Sequence, residues 1–263
     1  MNTQFSRRNL CCFTLIFTLL FWNSLSYAES EISIKTAGAD LANFPNSAFT
    51  LPQGRAYIEI SPVNFSGKSE YSSQQTSAGY LLRYGLFDDL ELRLMSSGFA
   101  MIDDTNKTNG MNAQIFDLKW HVSDENKTAY LPAVGVEFSV QTDFASRAFQ
   151  NGINPALSLN FDQSLPFDIA FEYNVGFVSQ HLESGEAQYQ LALSWALQRA
   201  VSDEVDVFIN GYTNTAAGLT TSAFGGGAQW IPIERLAIFT NISASLTAST
   251  PSIFSLVGFA VAF

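Results

Sequence analysis

Arg83, Glu91 and Arg93 stand close together in LLRYGLFDDLELRL (81–94), Asp117, Lys119 and His121 follow in FDLKWHV (116–122), and Glu137 and Glu172 lie further on. Within each run the charged positions alternate with apolar ones, so in an extended chain they share one face. Charges of both signs gathered this way can do two things. Facing water, they form a constriction that orients a polar solute. Facing one another, they form a salt-bridge network that ties neighbouring strands and neutralises interior charge, which is their default role. Nucleophilic catalysis needs a hydroxyl or thiol with a base in reach. His121 has no adjacent serine, His181 stands near Glu183 and Ser184, and no G-x-S-x-G elbow is present. DDTNKTNG (103–110) lacks the acid that would close a calcium loop and reads as a solvated turn. These residues imply no enzyme, no cofactor and no metal.

The elements that must position the charged groups are strands. From Gly54 onward, twelve segments alternate apolar and polar residues, near 55–65, 76–86, 90–99, 112–122, 132–141, 154–162, 168–179, 186–197, 205–213, 222–231, 236–246 and 252–263. Most are close to the 9–11 residues that a tilted strand needs to cross a bilayer. If the N-terminus starts in the periplasm, the joints after even-numbered strands, such as FDD and PIER, are periplasmic turns. The joints after odd strands include the longer SGKSEYSSQQ and AMIDDTNKTNGM. Short inner turns and longer outer loops belong to transmembrane barrels.

Charge content leads to the same class. Only 14% of residues are Asp, Glu, Lys or Arg, against roughly 25% in an ordinary soluble domain. Yet no segment after residue 28 approaches the length of apolar residues that a spanning helix requires. A closed antiparallel transmembrane β-barrel of about twelve strands, up-and-down in topology, reconciles the two, because only every second residue must be apolar. Residues 54–263 form this barrel, and residues 29–53 an irregular periplasmic or plug segment. Residues 1–28, with Arg7, Arg8, an apolar stretch and Ser26 and Ala28 before the cut, read as a secretory signal peptide. Both cysteines, Cys11 and Cys12, leave with it. Its removal takes the net charge from −11 to −13, which argues against nucleic-acid binding.

On the even strands the apolar face carries an aromatic near the periplasmic end: Tyr84, Trp120, Phe161, Trp195, Trp230 and Phe263. Such rings form the girdle at a membrane interface, so the apolar face is the lipid-facing outside. Parity then sends Arg83, Glu91, Arg93, Asp117, Lys119, His121, Glu137 and Glu172 to the lumen, along with Tyr57, Glu59 and small residues such as Ser77 and Ser97. SLVGFAVAF, ending on Phe263, is similar to the signal that barrel-assembly machinery reads. The expected setting is the outer membrane of a Gram-negative bacterium, with outer-membrane lipid and that machinery as partners.

Three stretches carry a family resemblance: FTLPQGRAYIEIS (49–61), LLRYGLFDDLELRL, and the order of FDLKWHVSDEN, LPAVGVEF and a terminal aromatic. With these the chain resembles the outer-membrane "transporter" family linked to the meta pathway of phenol degradation. The resemblance implies a porin-like barrel passing small, often aromatic or hydrophobic compounds by passive diffusion, and it supplies no catalytic residues. A non-conducting barrel with a structural or surface-recognition role is the alternative, its interior blocked by side chains and residues 29–53.

Overall fold

A computed structural model of the chain describes residues 33–181, 187–216 and 218–263. The reading of residues 1–28 as a signal peptide lies outside the described residues, as does the side chain of His181. From Ser33 to Gln53 the chain forms turns and bends. Strands follow: β1 Ala56–Ser66, β2 Gln75–Phe87, β3 Leu90–Ile102, β4 Asn109–Met111, β5 Ile115–Ser123, β6 Ala133–Gln141, β7 Asn154–Leu165, β8 Ile169–His181, β9 Ala187–Ala200, β10 Val205–Ala216, β11 Leu219–Ile233, β12 Leu236–Ser245 and β13 Ile253–Ala262. A short 3-10 turn, Arg147–Phe149, precedes β7.

Successive strands pair antiparallel, and β1 pairs with β13, so the sheet closes on itself and has no free lateral edge. The fold is a closed antiparallel β-barrel of twelve staves, because β4 and β5 both lie on β3 as two pieces of one stave. The sequence reading starts this stave at 112, whereas its main piece starts at Ile115 and a short piece, Asn109–Met111, precedes the gap. Parity also changes there. Glu91 and Arg93 are buried inside, but Gly98 has φ +62° and forms a bulge against β2. Beyond it Ala100 is the buried residue and Phe99 and Met101 the exposed ones. Ser97 still lines the luminal cavity, as alternation from Arg93 has it, but the same alternation would send Phe99 and Met101 inward and does not survive the inserted residue.

Proline accounts for two further irregularities. Pro62 in β1 and Pro232 in β11 lack an N–H for the ladder, and both fall where the register shifts. Pro155 sits near the start of β7, where the β8 ladder has not yet begun.

Outward positions are apolar and exposed. Val257 on β13, for example, is 52% exposed and stands between Thr240 of β12 and Val63 of β1. Inward positions are mostly small or polar, with Leu81, Phe208, Phe239 and Leu256 as large apolar exceptions. In a bilayer, Val257→Arg is expected to destabilise the folded barrel by about 2–4 kcal/mol, as arginine does at the midplane. Urea titration of the barrel refolded into vesicles measures this, and an unchanged midpoint would place Val257 in water.

Candidate functional site

The β2–β3 hairpin sets up a conflict that the rest of the site resolves. Its register puts Arg83 directly opposite Arg93, and like charges so placed repel. The neighbouring pairings bring in the other sign: Arg93 opposite Asp117, Glu91 opposite Lys119, and Lys119 opposite Glu137. Arg83 grips Glu91 through two nitrogens, Nε at 2.7 Å and Nη2 at 3.1 Å, and reaches Glu59 of β1 at 3.2 Å. Arg93 lies 2.8 Å from Glu137 and 3.2 Å from Asp117. The Asp117 contact is an ion pair without hydrogen-bond geometry, for neither carboxylate oxygen has a hydrogen-bond partner. All of these side chains are buried.

The group that joins them comes from outside the wall. Asp40, in the Ser33–Gln53 segment, lies 2.9 Å from Lys119 Nζ, 3.3 Å from Arg93 and 3.6 Å from Arg83. Burial by itself would raise the Asp40 carboxyl, but Arg83, Lys119 and Arg93 together hold it well below the usual carboxylate range.

The segment is irregular, so its peptide groups need partners other than a ladder. The inward carboxylates and amides supply them. Leu41 N–H donates to Glu59, Leu51 N–H to Glu91, Ala48 N–H to Asp162 and Asn46 N–H to Asn174 Oδ1. Side chains complete the attachment, with Asn43 Nδ2 donating to Glu172 at 2.9 Å and Asn46 Nδ2 to Glu137 at 2.8 Å. Asn174 and Asn241 donate to the carbonyls of Asn46 and Ala42. The segment begins beside the β11–β12 turn, where Ile34 N–H bonds Glu234 C=O, and leaves beside the β2–β3 turn, where Gln53 N–H bonds Asp88. It therefore enters and leaves at the same end of the barrel, crossing the lumen between. Gly85 lets it lie flat on the wall, since a Cβ there would stand 2.5 Å from Leu51 O and 2.2 Å from Pro52 O.

Beyond the segment the lumen is open. Phe44 stands edge-on to Tyr212 at 4.9 Å and tilted against Phe254 at 5.8 Å, and a cavity lies on either side of it. One, of about 440 Å³, is lined by Glu137 together with neutral groups including Ser139, Ser158, Ser194 and Asn214. The other, of about 480 Å³, is lined by Phe65, Tyr80, Met95 and Ile115 among others.

An outer membrane channel from Pseudomonas putida F1 superposes with a TM-score of 0.62 at 14% identity, covering 83% of this chain and 99% of that one. The NanC porin superposes at 0.53 with 8% identity, covering 78% and 98%. The likeness is one of fold. No family model matches the chain, and no curated protein sequence matches it.

Of the residues singled out from sequence, the barrel brings Arg83, Glu91, Arg93, Asp117, Lys119 and Glu137 into one cluster, with Glu172 at its margin on Asn43. His121 stands apart from them. Its ring stacks on Phe49 at 5.2 Å, and its nitrogens lie 3.1 Å from Ala48 O and from Asp124, so it brackets the segment. The six aromatics all lie on the outer face, at unequal heights: Trp120, Trp230 and Phe263 are exposed near strand ends, whereas Trp195 is five positions inside the end of β9. Trp230 donates to Glu204 in the adjacent turn, and Phe161 stacks on Tyr173. Sequence reasoning did not find Asp40 or Asp162. Asp162 follows the inward parity of β7 and was within reach of the pattern. Asp40 sits in a segment without a period, and no local signal marks it.

Proposed function

We propose that the chain is an outer-membrane channel for small solutes, held closed at rest by residues 33–53 docked on the charged inner wall. The observation that carries this is Asp40, shared among Arg83, Arg93 and Lys119, below cavities that open toward the other end of the barrel. A barrel with a purely structural role has no need of roomy, largely uncharged walls above an ion-paired segment. Support also comes from the two solved channels of the same fold. An apolar outer face fits outer-membrane lipid. A cleaved signal at residues 1–28 and recognition of the Phe263 strand by barrel-assembly machinery complete the route there. The sequence likeness to the phenol-pathway transporter family adds small aromatic compounds as cargo, moving by passive diffusion.

Planar-bilayer recording tests this. The intact chain is expected to conduct rarely, and removal of residues 33–50 to give a stable open conductance from a barrel that still shows a heat-dependent shift on gel electrophoresis. The many bonds that hold the segment to the wall favour a second reading, a non-conducting barrel in which the segment is permanent packing. Silence from the shortened, folded barrel would establish that reading and end the first.

A further inference from the structure

Two inward carboxylates are left without a counter-charge. Asp40, Glu59, Glu91, Asp117 and Glu137 each lie within 4 Å of Arg83, Arg93 or Lys119. Asp162 and Glu172 take part in no ion pair among the described residues. Only neutral groups meet them, Ala48 N–H and Ser47 Oγ on Asp162 and Asn43 Nδ2 on Glu172. The two acids also oppose each other in register, Asp162 on β7 and Glu172 on β8. Residues so paired hold their Cβ atoms about 4.5–5.5 Å apart, and like charges in that position destabilise a sheet.

Beside them lies an amide with nothing to bond. Asn210 is fully buried, and among the described residues neither its Nδ2 nor its Oδ1 has a partner. A buried polar side chain in that state is costly. The ladder sets it in the same row as the acids, since Glu172 opposes Ala196 of β9 and Ala196 opposes Asn210 of β10. Directly paired residues share a face of the sheet, so on the inner wall only the methyl group of Ala196 stands between Glu172 and Asn210. Residues 42 and 43 roof this row. Ala42 C=O accepts from Asn241 of β12, and Asn43 holds Glu172 of β8. The chain therefore runs as a chord across the arc of β9, β10 and β11, and Ala196 and Asn210 beneath it are both fully buried.

The row lacks a positive charge compact enough to lie against oxygen. Asn210 has no water-sized space beside its polar atoms, so a water molecule does not satisfy it. A calcium ion sits about 2.3–2.6 Å from its oxygens and accepts carboxylates, amide oxygens and backbone carbonyls alike. Magnesium gives up its waters reluctantly and suits a dry row less.

We propose that the barrel binds a calcium ion on this row, between the carboxylates of Asp162 and Glu172 and with the amide oxygen of Asn210 as a neutral ligand. The ion supplies the charge that Arg83, Arg93 and Lys119 do not, and it fixes the wall beneath Asn43. The site goes beyond the channel reading and holds whether or not the barrel conducts.

Terbium, a luminescent substitute for calcium, is the probe. The full chain is refolded in detergent and titrated with terbium at neutral pH, with excitation through tyrosine. Tyr212 is the sensitiser, two residues from Asn210 on the same strand and packed on Phe44 inside the barrel. Saturable emission is expected, displaced by excess calcium and not by equal magnesium. Asp162→Asn with Glu172→Gln, checked for folding by the heat-dependent gel shift, is expected to abolish the emission, and Asn210→Ala to weaken terbium affinity several-fold. Emission equal in the parent and the double variant would place the ions on surface carboxylates and overturn the site, and unchanged affinity in Asn210→Ala would also count against it. Urea titration separates an ion from a proton. Calcium is expected to raise the midpoint of the parent and to leave that of the double variant where it is. A parent midpoint indifferent to calcium and to chelator, rising only as pH is lowered, would mean that the two acids share a proton and would overturn the proposal.

Discussion

Asp40→Ala is expected to raise the open probability of the channel in planar bilayers by roughly two to three orders of magnitude. In the docked state the substitution leaves Lys119 Nζ, fully buried, without the carboxylate that lies 2.9 Å away, and it strips Arg83 and Arg93 of a shared counter-charge. Breaking a buried ion pair by removing one partner costs about 3–5 kcal/mol, and each 1.4 kcal/mol is about tenfold in a population. In the undocked state the same wall charges face water and lose little, so the cost falls on the closed form alone. Asp40→Asn keeps an acceptor for Lys119 and is expected to open the channel less. Asp124→Ala, which removes only the exposed partner of His121, is expected to leave the records unchanged.

The pH dependence has a definite sign. A carboxyl whose docked pKa is depressed contributes to docking above its undocked value, about 3.9, and that contribution is lost as pH falls through the docked value. For Asp40 the docked value lies well below the carboxylate range, so acidification from pH 7 to 5 is not expected to open the channel through this group. An Asp40→Ala protein with the resting behaviour of the parent would remove Asp40 from the closing mechanism.

Gly98→Ala is expected to cost the barrel on the order of 3 kcal/mol or more, from two sources. Its φ of +62° is strained for any residue with a side chain, by about 1–2 kcal/mol. In addition, a Cβ there would stand 1.8 Å from Ala78 O, a backbone atom of the neighbouring strand that has nowhere to go. Gly218 separates the two effects. It has φ +83° with nothing within 4 Å of a built Cβ, so Gly218→Ala is expected to show the strain alone. Urea titration of each variant refolded into vesicles measures the difference, and equal losses at the two positions would show that the bulge yields to the extra methyl.

How far the sequence could be read depended on the range of the interaction. Alternation in LLRYGLFDDLELRL arises between neighbouring residues, and so does the turn at Asp88 and Asp89. Hairpins of this kind place Arg83, Glu91 and Arg93 on one face before any other part of the chain is considered. The same local rule located twelve staves and the exposed apolar band. It failed at Gly98, where one inserted residue reversed the parity, because a bulge depends on the partner strand and alternation does not report it.

Nothing local, by contrast, ties Asp40 to Lys119 across 79 positions, or Asn46 to Asn174 across 128. The segment that carries them has no period because its peptide groups are satisfied by side chains of the wall and not by a ladder. Strand, turn and face follow from steric and solvation preferences that each short stretch carries within itself. Which residues fill the lumen, and which cation meets which acid there, was decided only when closure of the barrel brought remote side chains together, where a buried charge without an opposite one is costly.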